Sequence, residues 1–188
     1  KGNQILKAND IKNPSLDCEL LLSKVLNKSR EEILINFNNK INNKQKNKFV
    51  SYLNKRKKKK PISYILGFKY FWKYKFFINK STLIPRPESE HIIEQTLKLI
   101  QKTKSINILD IGTGSGCLII SLLKERQKCV ATALDISKEA LKVAKINAKL
   151  HHLENKIKFL NIDIDKFNSN KYDLIISNPP YINKVDLN

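Results

Sequence analysis

Several residue types are scarce in this chain, and each scarcity excludes something. There are three cysteines in 188 residues, and Cys18, Cys117 and Cys129 stand too far apart for a CxxC metal site or a disulfide framework. A reducing cytoplasm is the expected location. No apolar run approaches the roughly 18 residues that would cross a bilayer, and the opening stretch KGNQILKAND has no apolar signal core. Carboxylates are also few, 17 against 36 Lys+Arg, for a formal charge of +19. Only four of the basic residues are arginine (Arg30, Arg56, Arg86, Arg126), and the chain is also crowded with Asn and Ile. A solvated lysine coat of compositional origin therefore stands beside an RNA-rich partner as the meaning of that charge. At 41% hydrophobic residues, one domain or two small ones can bury a core.

Only five glycines are present, and three of them fall together in Gly112-Thr113-Gly114-Ser115-Gly116. The preceding run Ile106 to Ile111 reads as a buried parallel strand carrying Asp110, and Leu118 to Leu123 reads as a helix. The glycines thus occupy a strand-to-helix junction, where backbone N–H groups are expected to face a close-lying ligand. The Gly-Lys-Ser/Thr ending of a triphosphate loop is missing, and the spacing is GxGxG, not the GxGxxG of the dinucleotide fold. The acid just ahead of the glycines suits an ammonium group better than a pyrophosphate. S-adenosylmethionine is the better match.

Residues 1–60 read as a helical unit. Pro14 begins a helix whose apolar face runs through Leu16, Leu20, Leu21 and Val25; Ser29-Arg30-Glu31-Glu32 is a capping box; and a third helix is expected over 44–58 with Phe49, Val50 and Leu53 inward. The basic run Lys55 to Lys60 complements the dipole of that helix's end, a structural role as good as a binding one. Residues 61–87 change texture: Tyr64, Phe68, Tyr70, Phe71, Trp72, Tyr74, Phe76 and Phe77 predict a β-hairpin linker, and Leu83-Ile84-Pro85-Arg86-Pro87-Glu88 a stiff extended segment. A helix traced by Ser89, Ile92, Ile93, Thr96, Leu97 and Ile100 follows, with His91 at the solvated surface.

From residue 88 strand and helix alternate, the pattern of a parallel α/β sheet. The second strand, Cys129 to Leu134, ends at Asp135, placed to accept ribose hydroxyls. Ser137 caps a helix facing inward through Ala140, Leu141, Ala144, Ile146 and Ala148, with His151 and His152 at its C-terminus and no metal site. A third strand ends near Asp163, either a contact to an adenine amino group or an ordinary loop acid. The fourth, Tyr172 to Ser177, delivers Asn178-Pro179-Pro180-Tyr181. If the order is 3-2-1-4, the glycine loop and this segment face one another across the switch point. The side-chain oxygen of Asn178 and the carbonyl of Pro179 can then take both hydrogens of a planar NH2 group, with Tyr181 stacking on it. Methyl transfer from a sulfonium needs alignment more than a strong base.

These stretches, together with LDCELLL from Leu16, PISYILG from Pro61, LIPRPESE from Leu83 and SNPPYI from Ser177, resemble the PrmC/HemK family of bacterial protein-(glutamine-N5) methyltransferases. The resemblance covers nearly all of the chain. It implies a Rossmann-like class I methyltransferase sheet over 88–188, preceded by a substrate-recognising helical domain and a hairpin linker. It also implies S-adenosylmethionine as cofactor, without metal, and methylation of the glutamine in the Gly-Gly-Gln tip of peptide chain release factors. By the likeness Gly112, Thr113, Gly114, Ser115, Gly116, Asp135, Asp163, Ile164 and Asn178 would hold the cofactor, and Asn178, Pro179, Pro180 and Tyr181 the amide. A monomer is expected.

Three departures stand out. Tyr70-Phe71-Trp72-Lys73 lacks the usual hairpin glycine, and Ile164 replaces an aromatic that would face adenine. The chain also stops at Asn188 without an initiating methionine, so a truncated sheet with Leu174 to Ser177 at an open edge is expected. Amino-methylation of DNA or RNA, favoured by the charge, and a non-catalytic binding fragment remain as alternatives.

Overall fold

A computed structural model of the chain describes residues 1–35, 40–168 and 171–179, and the chain divides into two units, 1–67 and 68–188. The described elements of the first unit are helices: α1 (Gly2–Lys7), α2 (Pro14–Leu26), α3 (Arg30–Ile35), α4 (Asn43–Lys57) and α5 (Ile62–Leu66). Leu6, Leu21, Val25, Ile33, Leu53 and Ile65 fill its interior.

The face expected for α2 is turned by one residue. Leu16 is exposed, and Asp17 is buried in line with Leu21 and Val25. Arg56 of α4 explains the turn, because its Nε donates to Asp17 Oδ2 at 2.6 Å and pairs the buried carboxylate. The capping box at α3 forms as the spacing predicts: Ser29 N–H donates to Glu32 Oε2 at 2.7 Å, and Glu32 N–H to Ser29 Oγ at 3.1 Å. A second box went unread because Asn42 and Gln45 make it, each side chain accepting the other's N–H at 2.9 Å. Val50, expected inward, is exposed. Residues 62–66, read as part of the linker, form α5 and cluster with the first unit.

The second unit opens with the hairpin of β1 (Phe68–Phe71) and β2 (Tyr74–Phe77), paired antiparallel with Phe71 opposite Tyr74. It closes without glycine. Trp72 takes a φ of 56°, a left-handed conformation that costs an L-residue roughly 1–2 kcal/mol. Two carboxylates hold it there: Glu90 accepts the Trp72 N–H at 2.8 Å, and Glu125 accepts from Trp72 Nε1 at 3.0 Å and Lys73 Nζ at 2.9 Å.

After α6 (Glu90–Leu99) come β3 (Asn107–Ile111), α7 (Cys117–Glu125), β4 (Val130–Leu134), α8 (Lys138–Leu150), β5 (Ile157–Leu160) and β6 (Leu174–Ser177). The four strands are parallel in the order β5-β4-β3-β6, the 3-2-1-4 order expected from the sequence. Parallel neighbours require crossover connections, which is why α7 buries six consecutive residues from Leu118 to Leu123 beneath the sheet's central strands. Among the described residues β6 pairs on one side only, and Ile175 is exposed.

Ile146 was expected on the inner face of α8, but it is exposed, and fully buried Asn147 points inward in its place. Its Nδ2 donates to Phe77 O at 2.9 Å and to Ser115 O at 2.8 Å, and its Oδ1 accepts from Phe77 N at 2.7 Å. One side chain therefore ties α8 to the hairpin and to the glycine loop. Asn147→Leu keeps the volume and strands three backbone groups, so we expect a loss of about 3–5 kcal/mol. In thermal unfolding this is a fall of roughly 6–15 °C, and a fall under about 3 °C would show the tie to be dispensable.

Candidate active site at the carboxyl ends of the sheet

Register brings the site together. Leu160, Leu134, Ile111 and Ser177 lie in one row across the four strands, so the residues that follow them leave the sheet along a single edge. Asp135 and Gly112 thus emerge side by side, and Asn178 emerges beside Gly112, with adjacent strands about 4.8 Å apart. Ser177 Oγ donates to Ile111 O at 3.0 Å and pins the last two strand ends together. The convergence of the glycine loop and the Asn-Pro segment expected from the sequence is present in this geometry. Pro180 and Tyr181 lie outside the described residues.

The loop's glycines serve different ends. Gly116 has a φ of 77°, and a Cβ there would come within 3.0 Å of Ile120 Cδ1 and 3.3 Å of Ala144 Cβ; it lets α7 and α8 approach closely. Gly112 has a φ of 70° and nothing within 4 Å of where a Cβ would stand, so it keeps space open next to Asn178. The expectation that the loop's N–H groups face a ligand needs narrowing. Thr113 N–H donates to Leu134 O at 2.9 Å, Gly114 N–H to Asp135 Oδ2 at 2.9 Å and Gly116 N–H to Thr113 O at 2.8 Å. Half-buried Asp135 is fixed from both sides, since its Oδ1 accepts the Ser137 N–H at 2.8 Å. Each of its oxygens keeps a lone pair for a further donor such as a ribose hydroxyl.

Behind the loop lies an unsatisfied pair. Asp110 Oδ2 and Thr113 Oγ1 are buried with no hydrogen-bond partner among the described residues. Burial pushes the Asp110 carboxyl up to about 7; the Thr113 hydroxyl, close by but outside hydrogen-bond geometry, offsets part of the rise, and the charge of Asp135 adds to it. A buried carboxyl, an unpaired hydroxyl, a second carboxylate and open space at Gly112 fit a cationic amino acid joined to a nucleoside better than an anion. Cys117 is inert here, since burial raises its thiol to about 12.

At the other strand ends the side chains are turned to local tasks. Asp163 is exposed and caps the short turn Ile164–Lys166, with its Oδ1 accepting Asp165 N–H at 3.2 Å. Ile164 is exposed within that turn. Asn161, which sequence reading passed over, donates to Asp135 O at 2.9 Å and to Ile136 O at 2.8 Å and holds the β4 end in place. Ser89 was also missed as a site residue: its Oγ accepts from Asn178 Nδ2 at 2.7 Å. No local signal marked it, because its partner lies 89 residues further along the chain.

Residues 93–188 match the Methyltransferase small domain family, and residues 1–67 match the PrmC N-terminal domain. A release factor glutamine methyltransferase of Leptospira interrogans is 40% identical over 97% of this chain and 65% of its own length. One from Coxiella burnetii is 39% identical over 93% of this chain and 63% of its own length. A bifunctional methyltransferase of Rickettsia typhi is 38% identical over 96% of this chain and 39% of its own. The chain therefore spans less than two thirds of each of these relatives. Among solved structures, a ribosomal protein L11 methylase of Lactobacillus delbrueckii overlaps 49% of this chain and 46% of its own at 27% identity and a TM-score of 0.43.

Proposed function

The chain belongs to the Methyltransferase small domain family, and from that premise we propose that it carries the methyl-transfer site of a protein that methylates the N5 of glutamine in peptide chain release factors. S-adenosylmethionine would supply the electrophilic methyl as a sulfonium. Asp135 would hold the ribose, and Asp110 with Thr113 would receive the ammonium end. By the family likeness Asp163 and Ile164 would meet the adenine, and Gly112 to Gly116 would line the approach. Asn178 Oδ1 and the Pro179 carbonyl accept the two hydrogens of the substrate carboxamide and turn its nitrogen lone pair toward the methyl. Both acceptors would stabilise positive charge developing on that nitrogen more than they do the ground state, and one of its two protons would leave to solvent as the N-methylamide forms. Pro180 and Tyr181 would complete the amide pocket. The reading places a monomer in the cytoplasm.

The observation that carries this reading is the pairing of Ile111 with Ser177, which sets the glycine loop beside Asn178. The relatives' names add the choice of glutamine. The test is methyl incorporation from labelled cofactor by the protein at its natural length. Label is expected in release factor and is expected to vanish when the tip glutamine is replaced by glutamate.

One observation favours a second reading, amino-methylation of nucleic acid. Residues 33–87 contain no Asp or Glu and 15 of the basic residues, so they carry +15 of the net +19. A uniform compositional bias would not gather the charge in this way. Within that span α4 bears a shallow concavity of about 430 Å³ lined by Asn47, Val50, Ser51, Asn54, Lys55 and Lys58. Incorporation into RNA or DNA, with none in release factor, would establish this second reading and displace the first.

A further inference from the structure

We propose that Ser89 is a positioning residue for the transfer, fixing the carboxamide of Asn178 so that its oxygen is presented to the substrate. The inference rests on the amide-binding reading of Asn178 given above. Ser89 ends the 3-10 turn Pro87–Ser89 that leads directly into α6, with a helical φ of -70° and ψ of -16°. Its hydroxyl is therefore not drawn into capping. It accepts from Asn178 Nδ2 at 2.7 Å, across 89 residues of chain, and Ser89 is buried. A buried hydroxyl is thus committed to one side chain of the site.

The backbones on both sides of this contact are already stiff. Pro85 and Pro87 precede Ser89, whose own N–H donates to Arg86 O at 3.0 Å. Pro179 follows Asn178 and holds it extended. What remains free at Asn178 is rotation about its two side-chain bonds. A carboxamide that swings can offer the substrate its NH2 face, which cannot accept the hydrogens of another amide. Occupying that NH2 with a buried hydroxyl leaves Oδ1, which has no other hydrogen bond among the described residues, as the group that meets the substrate. Ser89 touches neither substrate nor reacting atoms in this account and acts through Asn178 alone.

The test uses the protein at its natural length with a glutamine-bearing release factor as acceptor. Ser89→Ala and Ser89→Val are expected to lower kcat by about 10- to 100-fold, the range in which misplacement of a positioned group falls. KM and the cofactor Kd should stay within about threefold. Ser89→Thr, which restores the hydroxyl on the frame of the Val variant, should return kcat to within about threefold of wild type. Adding Ser89→Ala to Asn178→Ala should leave the residual rate unchanged within about twofold, because the second change has nothing left to position. A wild-type kcat in the Ala and Val variants beside an inactive Asn178→Ala would overturn the role of Ser89 and leave the site reading standing. So would an undiminished loss in the Asn178→Ala background, or a loss carried entirely by cofactor Kd. A wild-type rate in Asn178→Ala alone would overturn both.

Discussion

Asn178→Ala is expected to lower kcat for the proposed glutamine methylation by about 100- to 1,000-fold, the cost of removing one preorganised acceptor from a developing charge. The cofactor Kd should move by less than about threefold. The separation follows from geometry. Asn178 leaves β6 beside Gly112, but the groups suited to the cofactor, Asp110, Thr113 and Asp135, come from β3, the glycine loop and β4. The substitution keeps the backbone in place, because Ser177 Oγ still donates to Ile111 O at 3.0 Å and Pro179 still restrains the chain. Asn178→Asp keeps an oxygen, loses the NH2 that Ser89 receives, and adds a charge near Asp110 and Asp135. It should fall between wild type and the alanine variant. Rates measured with labelled cofactor and saturating acceptor decide the matter; an alanine variant within about fivefold of wild type would remove Asn178 from amide binding.

Asp110→Asn should have the second large effect, with opposite signs for folding and for binding. The wild-type carboxyl sits at about 7 in the folded chain against 3.8 unfolded, because burial disfavours its ionised form. Between those values the folded state holds a proton that the unfolded chain has released, so the folded state loses stability as pH rises through this window. Well below pH 3.8 both states are protonated and the ionisation penalty is absent; above about 7 the carboxyl is ionised, and that penalty reaches about 4 kcal/mol. The variant has no such penalty. Ligand-free Asp110→Asn is expected to unfold several degrees above wild type at pH 8, with the gap closing toward pH 4.5. Affinity should change the other way. A cationic ligand pairs with the ionised carboxylate, so the variant should bind S-adenosylmethionine roughly 10- to 100-fold more weakly at pH 8, and the difference should shrink at pH 6, where the wild-type carboxyl is protonated. Identical pH profiles for the melting of the two proteins would remove Asp110 as the buried titrating group.

How legible the site was in the sequence depended on whether a residue's role was local. The glycine loop, the acid at the end of the second strand and the Asn-Pro segment each sit where a strand meets its connection, a place marked by composition within a few residues. The strand order was legible only through the family resemblance, because right-handed crossovers allow more than one order for strands and helices that alternate. Asn147 gave no such sign. It lies among residues of helical spacing and was passed over for Ile146, one position away, because an apolar residue is the usual choice for an inner face. Its three partners come from the hairpin and the glycine loop, at sequence separations of 70 and 32. Asp17 is similar: nothing near it predicts burial, and Arg56 accounts for it only once α2 and α4 are packed.

The amino-acid sequence alone determined where the strands and the longer helices fell and where the glycines had to stand, because those outcomes depend on periodicity and on φ. Only the tertiary structure decided which polar side chains would be buried and by whom they would be met. That includes the pairing of Ser89 with Asn178, the tie through Asn147 and the isolation of the Asp110 carboxyl from water. The physical reason is the cost of an unpartnered buried polar group: it is met by whichever complementary atom folding brings within about 3 Å, and sequence distance has no bearing on that meeting.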